Sequence, residues 1–189
     1  MELGPYLRLM VQRSGSDLYF STGACPHVKI NGITAAIGET PLVSGEVAKL
    51  AYSVMTDDQV RDYERELEAN LAISIHGLGR FRVNVFHQRG SVSMVLRYIT
   101  SDMPTLEELD MPKQLKELVM LRRGLILMCG STGAGKSTTL AAMINHRNEK
   151  TSSHIITIED PIEFLHPNKQ SIVNQREIGL DTKSYGRAL

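Results

Sequence analysis

The chain has 189 residues, of which 42% are hydrophobic, and it carries 21 basic and 21 acidic side chains. This length suits one large domain or two small ones of ordinary globular composition. Zero net charge argues against a nucleic-acid partner held by bulk electrostatics, and no apolar run approaches the roughly 20 residues that span a bilayer.

The first part of the chain alternates short helices with strands. Apolar side chains recur at helical spacing over residues 2–13, which predicts an amphipathic helix. Short strands are predicted over residues 18–21, 27–30 and 33–37. Asn31-Gly32 separates the last two of these strands and is a strong signal for a tight hairpin turn. Two further helices are predicted over residues 44–54 and 58–68.

A second group of strands is predicted over residues 71–75, 80–87 and 91–99. The middle strand alternates cleanly, with Phe81, Val83, Val85 and His87 on one face and Arg80, Arg82, Asn84 and Phe86 on the other. We therefore expect residues 1–99 to form a small α+β domain with a mainly antiparallel sheet.

The composition changes after residue 99. Residues 100–112 are interpreted as a linker, in which a possible capping box from Thr105 to Glu108 follows Ser101-Asp102-Met103-Pro104. The elements predicted next are a helix over 113–121, a buried parallel strand over 125–129, a helix over 136–147 and a second buried strand over 154–158. This order is typical of the beginning of an α/β nucleotide-binding domain.

A phosphate-binding loop is the clearest motif. Residues 130–137 read Gly130-Ser131-Thr132-Gly133-Ala134-Gly135-Lys136-Ser137, and Thr138 follows directly. Glycines allow the backbone N–H groups to surround a phosphate, the lysine reaches the β- and γ-phosphates, and the Ser137 hydroxyl is a ligand for Mg²⁺. A chance Gly/Ser turn is the alternative, but a predicted strand before the loop and a helix after it favour nucleotide binding.

An acidic cluster follows the second predicted α/β strand. Pro161 should end that strand, which places Glu163 beyond it and nearer to a γ-phosphate than Glu159 and Asp160. Phosphoryl transfer to water uses a carboxylate that orients the water and others near Mg²⁺. Glu163 is placed for the first role, and Glu159 and Asp160 are better placed for metal-shell or hydrogen-bond support, with Glu159 as the second candidate for a general base. A solvated acidic loop without a catalytic role is an equally good interpretation of the composition alone.

Several segments resemble the type IV pilus retraction ATPases, the twitching-motility proteins PilT and PilU of the secretion ATPase superfamily. Residues 130–143 resemble the Walker A region of this family and residues 157–164 its Asp box. Residues 173–177 with Asp181-Thr182 are similar to the segment that follows the Asp box, and residues 16–18 and 80–84 to parts of the N-terminal domain. Residues 154–156 and Ile178-Gly179 favour a PilU-like protein slightly.

The resemblance implies a PAS-like N-terminal domain over residues 1–99 and a RecA-like ATPase core over residues 113–189. It also implies ATP and Mg²⁺ as ligands, with Lys136 and Ser137 as the Walker A pair and Glu163 as the general base. Assembly would be a homo-hexamer, or a mixed ring with a paralogous retraction ATPase, at the cytoplasmic face of the inner membrane. The partner there would be the platform protein at the pilus base.

Arginines of the N-terminal domain are also implicated by the resemblance. Arg82 and Arg97 match family positions that reach bound nucleotide, where a guanidinium neutralises charge that develops on phosphate. Arg80 is evenly balanced between this role and a solvated strand edge. Without the resemblance, a solvated edge would be the better interpretation of Arg80 and Arg82.

The family pattern continues beyond this sequence with a Walker B motif, a His box and a C-terminal domain. We therefore expect a fragment or a truncated reading frame, with weak nucleotide binding and poor hydrolysis. Two other functions stay open: a nucleotide-binding or docking module with little catalysis, and a metabolic P-loop kinase. A kinase would need a substrate lid after the P-loop helix, where the sequence has only a short connection.

The remaining candidate residues give weaker signals. Cys25 and Cys129 are the only cysteines, and neither lies in a metal-ligand pattern. Because the N-terminus also lacks the layout of a signal peptide, these isolated cysteines favour a reducing cytoplasm. His87, His154 and His166 are interpreted as structural or surface residues, because the His box of the family lies outside this sequence.

Overall fold

The computed structural model describes residues 2–188, which form two compact units that are divided between Ile99 and Thr100. The first unit contains three helices: α1 (Gly4–Gln12), α2 (Glu46–Tyr52) and α3 (Asp57–Glu66). Its strands are β1 (Gly15–Ser21), β2 (His27–Ile30), β3 (Ile33–Ala36), β4 (Glu68–Ile75), β5 (Gly79–Gln88) and β6 (Ser91–Ile99). These strands form one six-stranded sheet in the order β3-β2-β1-β6-β5-β4, with every neighbouring pair antiparallel.

Two backbone conformations determine where elements begin and end in the first unit. Asn31 and Gly32 have φ values of 49° and 82°, which confirms the tight hairpin turn between β2 and β3. Leu67 also adopts a positive φ, of 62°, and ends α3. The helix predicted over 58–68 therefore extends two residues too far, because the chain turns at Leu67 and enters β4 at Glu68.

The predicted alternation of the middle strand holds for its apolar residues. Phe81, Val83 and Val85 of β5 are fully buried against Leu7 and Met10 of α1 and their neighbours in one hydrophobic core. His87, which the alternation placed on the same face, is exposed near the end of the strand. The opposite face of the sheet carries Arg82 of β5.

Leu96 tests how much this core contributes to stability. Leu96 is 0% exposed, so replacing it with alanine removes buried methyl groups and should lower the free energy of unfolding by about 2–5 kcal/mol. Ile33→Ala is the matched control, because Ile33 is 74% exposed and should change this free energy by less than about 0.5 kcal/mol. Urea unfolding, with hydrogen exchange to localise the loss to the first unit, measures both; equal effects would contradict the assigned core.

The second unit contains α4 (Gln114–Val119), α5 (Lys136–Lys150), β7 (His154–Glu159), β8 (Ile172–Glu177) and α6 (Tyr185–Ala188). β7 and β8 are parallel, in register from His154 opposite Ile172 to Glu159 opposite Glu177. A small apolar cluster of Leu106, Ala142 and Met143 packs α5 against the preceding chain. No helix within residues 2–188 combines the length and the apolar character that a membrane crossing needs.

The strand predicted over residues 125–129 is wrong for this structure. The segment has no strand conformation, and Leu125 and Leu127 are 82% and 74% exposed. An apolar run becomes a buried strand only when a neighbouring strand receives its backbone hydrogen bonds, and none of the described strands lies beside it. The capping box does form, with reciprocal bonds between Thr105 and Glu108, but around a turn rather than at the start of a helix.

Candidate functional site

The P-loop lies directly before α5 and shapes the N-terminus of that helix. Gly133 and Gly135 have φ values of 78° and 83°, a left-handed conformation that glycine adopts without strain. Gly135 is the N-cap residue of α5, and the Ala134 N–H donates to the Ser131 carbonyl at 3.3 Å. The loop therefore turns around the positive end of a 15-residue helix, which is a favourable place for a phosphate.

Lys136 lies across this loop. Its Nζ donates hydrogen bonds to the carbonyl oxygens of Gly130 at 3.0 Å and of Ser131 at 2.7 Å. These partners are neutral, whereas hydrogen bonds between an ammonium group and an anion are shorter and stronger. The ammonium group is thus held at the phosphate-binding loop by partners that a phosphate oxygen can replace.

Glu163 is the residue that the fold adds to the P-loop. A pocket of about 340 Å³ is lined by Thr132, Gly133, Gly135, Lys136, Ser137, Thr138 and Glu163. Glu163 alone among them comes from the chain after β7, and no described residue forms a hydrogen bond with its carboxylate. The hydroxyl of Ser137 in this pocket is a hard oxygen donor of the kind that Mg²⁺ prefers, so Ser137 fits that ion.

Glu159 and Asp160 lie at an adjoining cavity of about 430 Å³ between α5 and the end of β7. The Glu159 Oε1 atom accepts hydrogen bonds from the Thr157 hydroxyl at 2.6 Å and from Gln175 Nε2 at 3.0 Å. Asp160 is exposed. Glu159 is therefore engaged in holding its own strand to β8, while Glu163 faces the P-loop without such partners.

The three histidines singled out in the sequence differ in their surroundings. His87 Nδ1 is 2.8 Å from the Tyr63 hydroxyl, and His154 Nε2 is 2.7 Å from Asn174 Oδ1. His166 is only 8% exposed, and its Nδ1 has no hydrogen-bond partner in the structure. Burial lowers the pKa of His166 below its ordinary value and so favours the neutral ring. The negative charge of nearby Glu159 acts in the opposite direction but is the smaller effect.

Arg82 and Arg97 occupy one row of the six-stranded sheet in the first unit. They are directly opposite each other on β5 and β6, and Asp17 of β1 is opposite Arg97. The Arg97 Nε atom donates to the buried Asp17 carboxylate at 2.8 Å, and these residues line a hollow of about 230 Å³. Two guanidinium groups beside one carboxylate make this face attractive to anions, whereas Arg80 has a buried Nε without a partner.

Sequence reasoning missed two polar side chains that organise the site. The fully buried Asn148 of α5 donates to the Pro167 carbonyl at 2.7 Å and accepts from the Lys169 N–H at 3.2 Å. Gln175 of β8 contacts the chain around Glu163. β8 was missed as well, because Ile172 and Val173 are its only apolar residues.

Comparison with known proteins gives the same assignment along the whole chain. Type IV pilus ATPase PilU of Pseudomonas aeruginosa is 49% identical over 189 residues, which cover 100% of this chain and 50% of that protein. Type IV pilus retractation ATPase PilT of the same organism is 41% identical over 100% of this chain and 55% of its own length. The chain thus spans about half the length of the curated relatives it matches.

Comparison with solved structures agrees with the sequence comparison. A crystal structure of the pilus retraction motor PilT with bound ADP matches with a TM-score of 0.89 and 42% identity, over 97% of this chain and 54% of that one. The sequence pattern of the family described as type II/IV secretion system protein matches residues 9–188, nearly the whole chain. The chain therefore belongs to the type II/IV secretion system protein family.

Proposed function

We propose that this chain binds ATP with Mg²⁺ and forms the nucleotide-binding part of a type IV pilus retraction motor. The observation that carries this proposal is the pocket in which Glu163 meets Lys136 and Ser137 at the N-terminus of α5. It is supported by the relatives, one of which is a pilus retraction motor with bound ADP in its crystal structure.

Binding follows from the geometry of the P-loop. The N–H groups of residues 130–135 and the positive end of α5 receive the phosphates, with Thr138 on the first turn of the helix beside them. Lys136 exchanges its two carbonyl partners for oxygens of the β- and γ-phosphates. Ser137 holds Mg²⁺, which when bound neutralises phosphate charge and orients the γ-phosphate.

Hydrolysis needs a group that orients water and accepts its proton. Glu163 suits this role because its carboxylate lines the P-loop pocket and has no described hydrogen-bond donor that competes with water. Glu159 is the weaker candidate, since Thr157 and Gln175 already donate to its Oε1 atom. Arg82 and Arg97 are proposed to neutralise phosphate charge, as their family positions imply.

The finer architecture and the assembly are part of the same proposal. We assign a PAS-like domain to residues 1–99, a linker to 100–112 and the beginning of a RecA-like core to 113–189. An antiparallel sheet in the first unit and a parallel β7–β8 pair beside a P-loop helix in the second support this assignment. The working state is a homo-hexamer or a mixed ring with a paralogous ATPase, bound to the pilus platform protein at the cytoplasmic face of the inner membrane.

One observation favours a second candidate, a module that binds nucleotide with little turnover. Residues 125–129, directly before the P-loop, do not form a strand that would fix the loop from behind, and Leu125, Ile126 and Leu127 are exposed. Titration with a fluorescent ATP analogue and measurement of phosphate release from stoichiometric ATP separate the two candidates. Binding with turnover supports the motor, binding alone supports the module, and absence of binding contradicts both.

Ser137→Ala tests the metal site. We expect the variant to bind ADP without Mg²⁺ as the wild type does, because Lys136 and the loop backbone remain. The enhancement of ATP binding by Mg²⁺ should fall by about tenfold or more, because one hydrogen-bond or ligand contact to a charged group is worth about 1.5–3 kcal/mol. Titrations with and without Mg²⁺ measure this, with Ser152→Ala on the exposed surface as the control; an unchanged Mg²⁺ effect would refute the assignment.

A further inference from the structure

Gln175 of β8 holds the segment that carries Glu163. We define residues 160–166, between β7 and the following turn, as the Asp-box loop. The Gln175 Oε1 atom accepts a hydrogen bond from the His166 N–H at 2.7 Å, and its Nε2 donates to the Phe164 carbonyl at 2.8 Å. The same Nε2 donates to Glu159 Oε1 at 3.0 Å. One side chain thus contacts both the loop and the strand from which it leaves.

The bonding capacity of this amide is almost fully used. An amide side chain has two N–H donors and two acceptor positions, and Gln175 uses both donors and one acceptor. Gln175 is opposite Thr157 in the parallel pair, and the hydroxyl of Thr157 shares Glu159 Oε1 with it. Connected polar groups that satisfy one another fix a single arrangement more firmly than separate bonds do.

A second side chain of β8 contacts the other end of the loop. The buried Glu177 accepts a hydrogen bond from the Ile162 N–H, with its Oε2 3.4 Å from that nitrogen. The backbone is therefore held from β8 at Ile162, Phe164 and His166, which are alternate positions. Glu163 lies between two of them, and its own carboxylate lies in the P-loop pocket.

We infer that Gln175 is a positioning residue, which fixes the Asp-box loop and thereby places the Glu163 carboxylate at the P-loop. This inference rests on the proposed function, in which Glu163 activates water. A carboxylate on an exposed loop is effective only when its position is defined, because small displacements of a reacting group lower rates strongly. The loop needs such support because Glu163 itself makes no described hydrogen bond.

Gln175→Met tests the inference, since it preserves length and bulk but removes all three hydrogen bonds. We expect single-turnover phosphate release to fall by about 10- to 100-fold, the range that a misplacement of about 1 Å produces. The dissociation constant for ADP should change by less than about twofold, because the P-loop is untouched. Amide hydrogen exchange of residues 160–166 should become faster, while that of α5 should not.

Asn174→Met is the matched control. Asn174 precedes Gln175 on β8, is exposed, and contacts His154 rather than the Asp-box loop. This variant should leave phosphate release, ADP affinity and loop exchange unchanged. Equal effects of the two substitutions would overturn the inference, because any change in β8 would then suffice.

Gln175→Glu supplies a signature that a merely structural role does not predict. The ionised carboxylate of this variant has neither of the N–H donors of the Gln175 amide, and it would lie beside the carboxylate of Glu159. Phosphate release relative to wild type should therefore be low at pH 8. As the pH falls, the introduced carboxyl takes up a proton and can again donate one hydrogen bond. The rate ratio should therefore rise towards acidic pH, and a pH-independent ratio would contradict the inference.

The remaining outcomes are decisive as well. Loss of ADP affinity together with faster exchange throughout α5 would overturn the inference in favour of a general structural role for Gln175. Faster loop exchange with unchanged phosphate release would also overturn it. If the wild-type chain releases no phosphate, the proposed hydrolysis is wrong. The role of Gln175 in fixing the Asp-box loop can still be tested, because unchanged amide hydrogen exchange of residues 160–166 in Gln175→Met would contradict it.

Discussion

Lys136→Ala is expected to lower the affinity of the chain for ATP by about 100-fold or more and to remove phosphate release. Among residues 2–188, Lys136 is the one cation that lines the P-loop pocket, and its Nζ already lies against two loop carbonyls. Its two hydrogen bonds to phosphate oxygens would each contribute about 1.5–3 kcal/mol. Together they contribute about 3–6 kcal/mol, which exceeds the roughly 2.8 kcal/mol that corresponds to a 100-fold change in affinity. Titration with a fluorescent ATP analogue measures the loss directly.

The control for this variant comes from the same helix. Lys150 ends α5, 14 residues away, and is exposed, so Lys150→Ala changes the net charge equally without touching the pocket. It should retain wild-type affinity. Circular dichroism should show both variants folded, because Lys136 bonds only to loop carbonyls. Retained ATP affinity in Lys136→Ala would show that the P-loop is not the binding site.

The antiparallel sheet of the first unit could be predicted because its determinants are local. Asn31-Gly32 specifies a turn by its own backbone preferences, and the alternation of residues 81–85 specifies a buried face within one strand. The end of α3, in contrast, could not be predicted accurately from the local sequence. Leu67 adopts a left-handed conformation that its side chain does not favour, and a bond from the His87 N–H to its carbonyl accompanies the turn.

In the second unit, local sequence patterns did not fully predict which segments form strands. Residues 125–129 are as apolar as a buried strand, yet strand formation depends on a partner elsewhere in the chain, and the described residues provide none beside it. β8 is the opposite case, since its sequence is mostly polar and β7 supplies the hydrogen bonds. Parallel pairing joins segments that are distant in sequence, so neither outcome is encoded in either segment alone.

Some residues of the candidate site could be predicted from local sequence, and others depend on long-range contacts. The P-loop could be recognised because one continuous motif supplies the backbone turn, the cation and the hydroxyl. Glu163 could be proposed because it follows Pro161 at the end of a strand. The supporting roles of Asn148 and Gln175 could not, because each depends on long-range contacts, 19 residues along the chain to Pro167 and 11 to Phe164.

Glu163→Gln should stop turnover while sparing nucleotide binding. The amide keeps the size of the carboxylate but cannot accept a proton from water, and a general base contributes about 10²- to 10⁴-fold to a rate. We therefore expect phosphate release to fall by at least about 100-fold. ATP affinity should stay equal or rise slightly, because one negative charge leaves a pocket that receives an anion.

Glu159→Gln and Asp160→Asn are the comparisons that identify the base. The Gln introduced at position 159 keeps an oxygen that can accept from Thr157 and Gln175, so turnover should fall by less than about tenfold. Asp160 is exposed and its variant should resemble wild type. If Glu163→Gln retains turnover while Glu159→Gln loses it, the base is Glu159, and the contacts of Thr157 and Gln175 would then orient the catalytic carboxylate itself rather than the loop beside it.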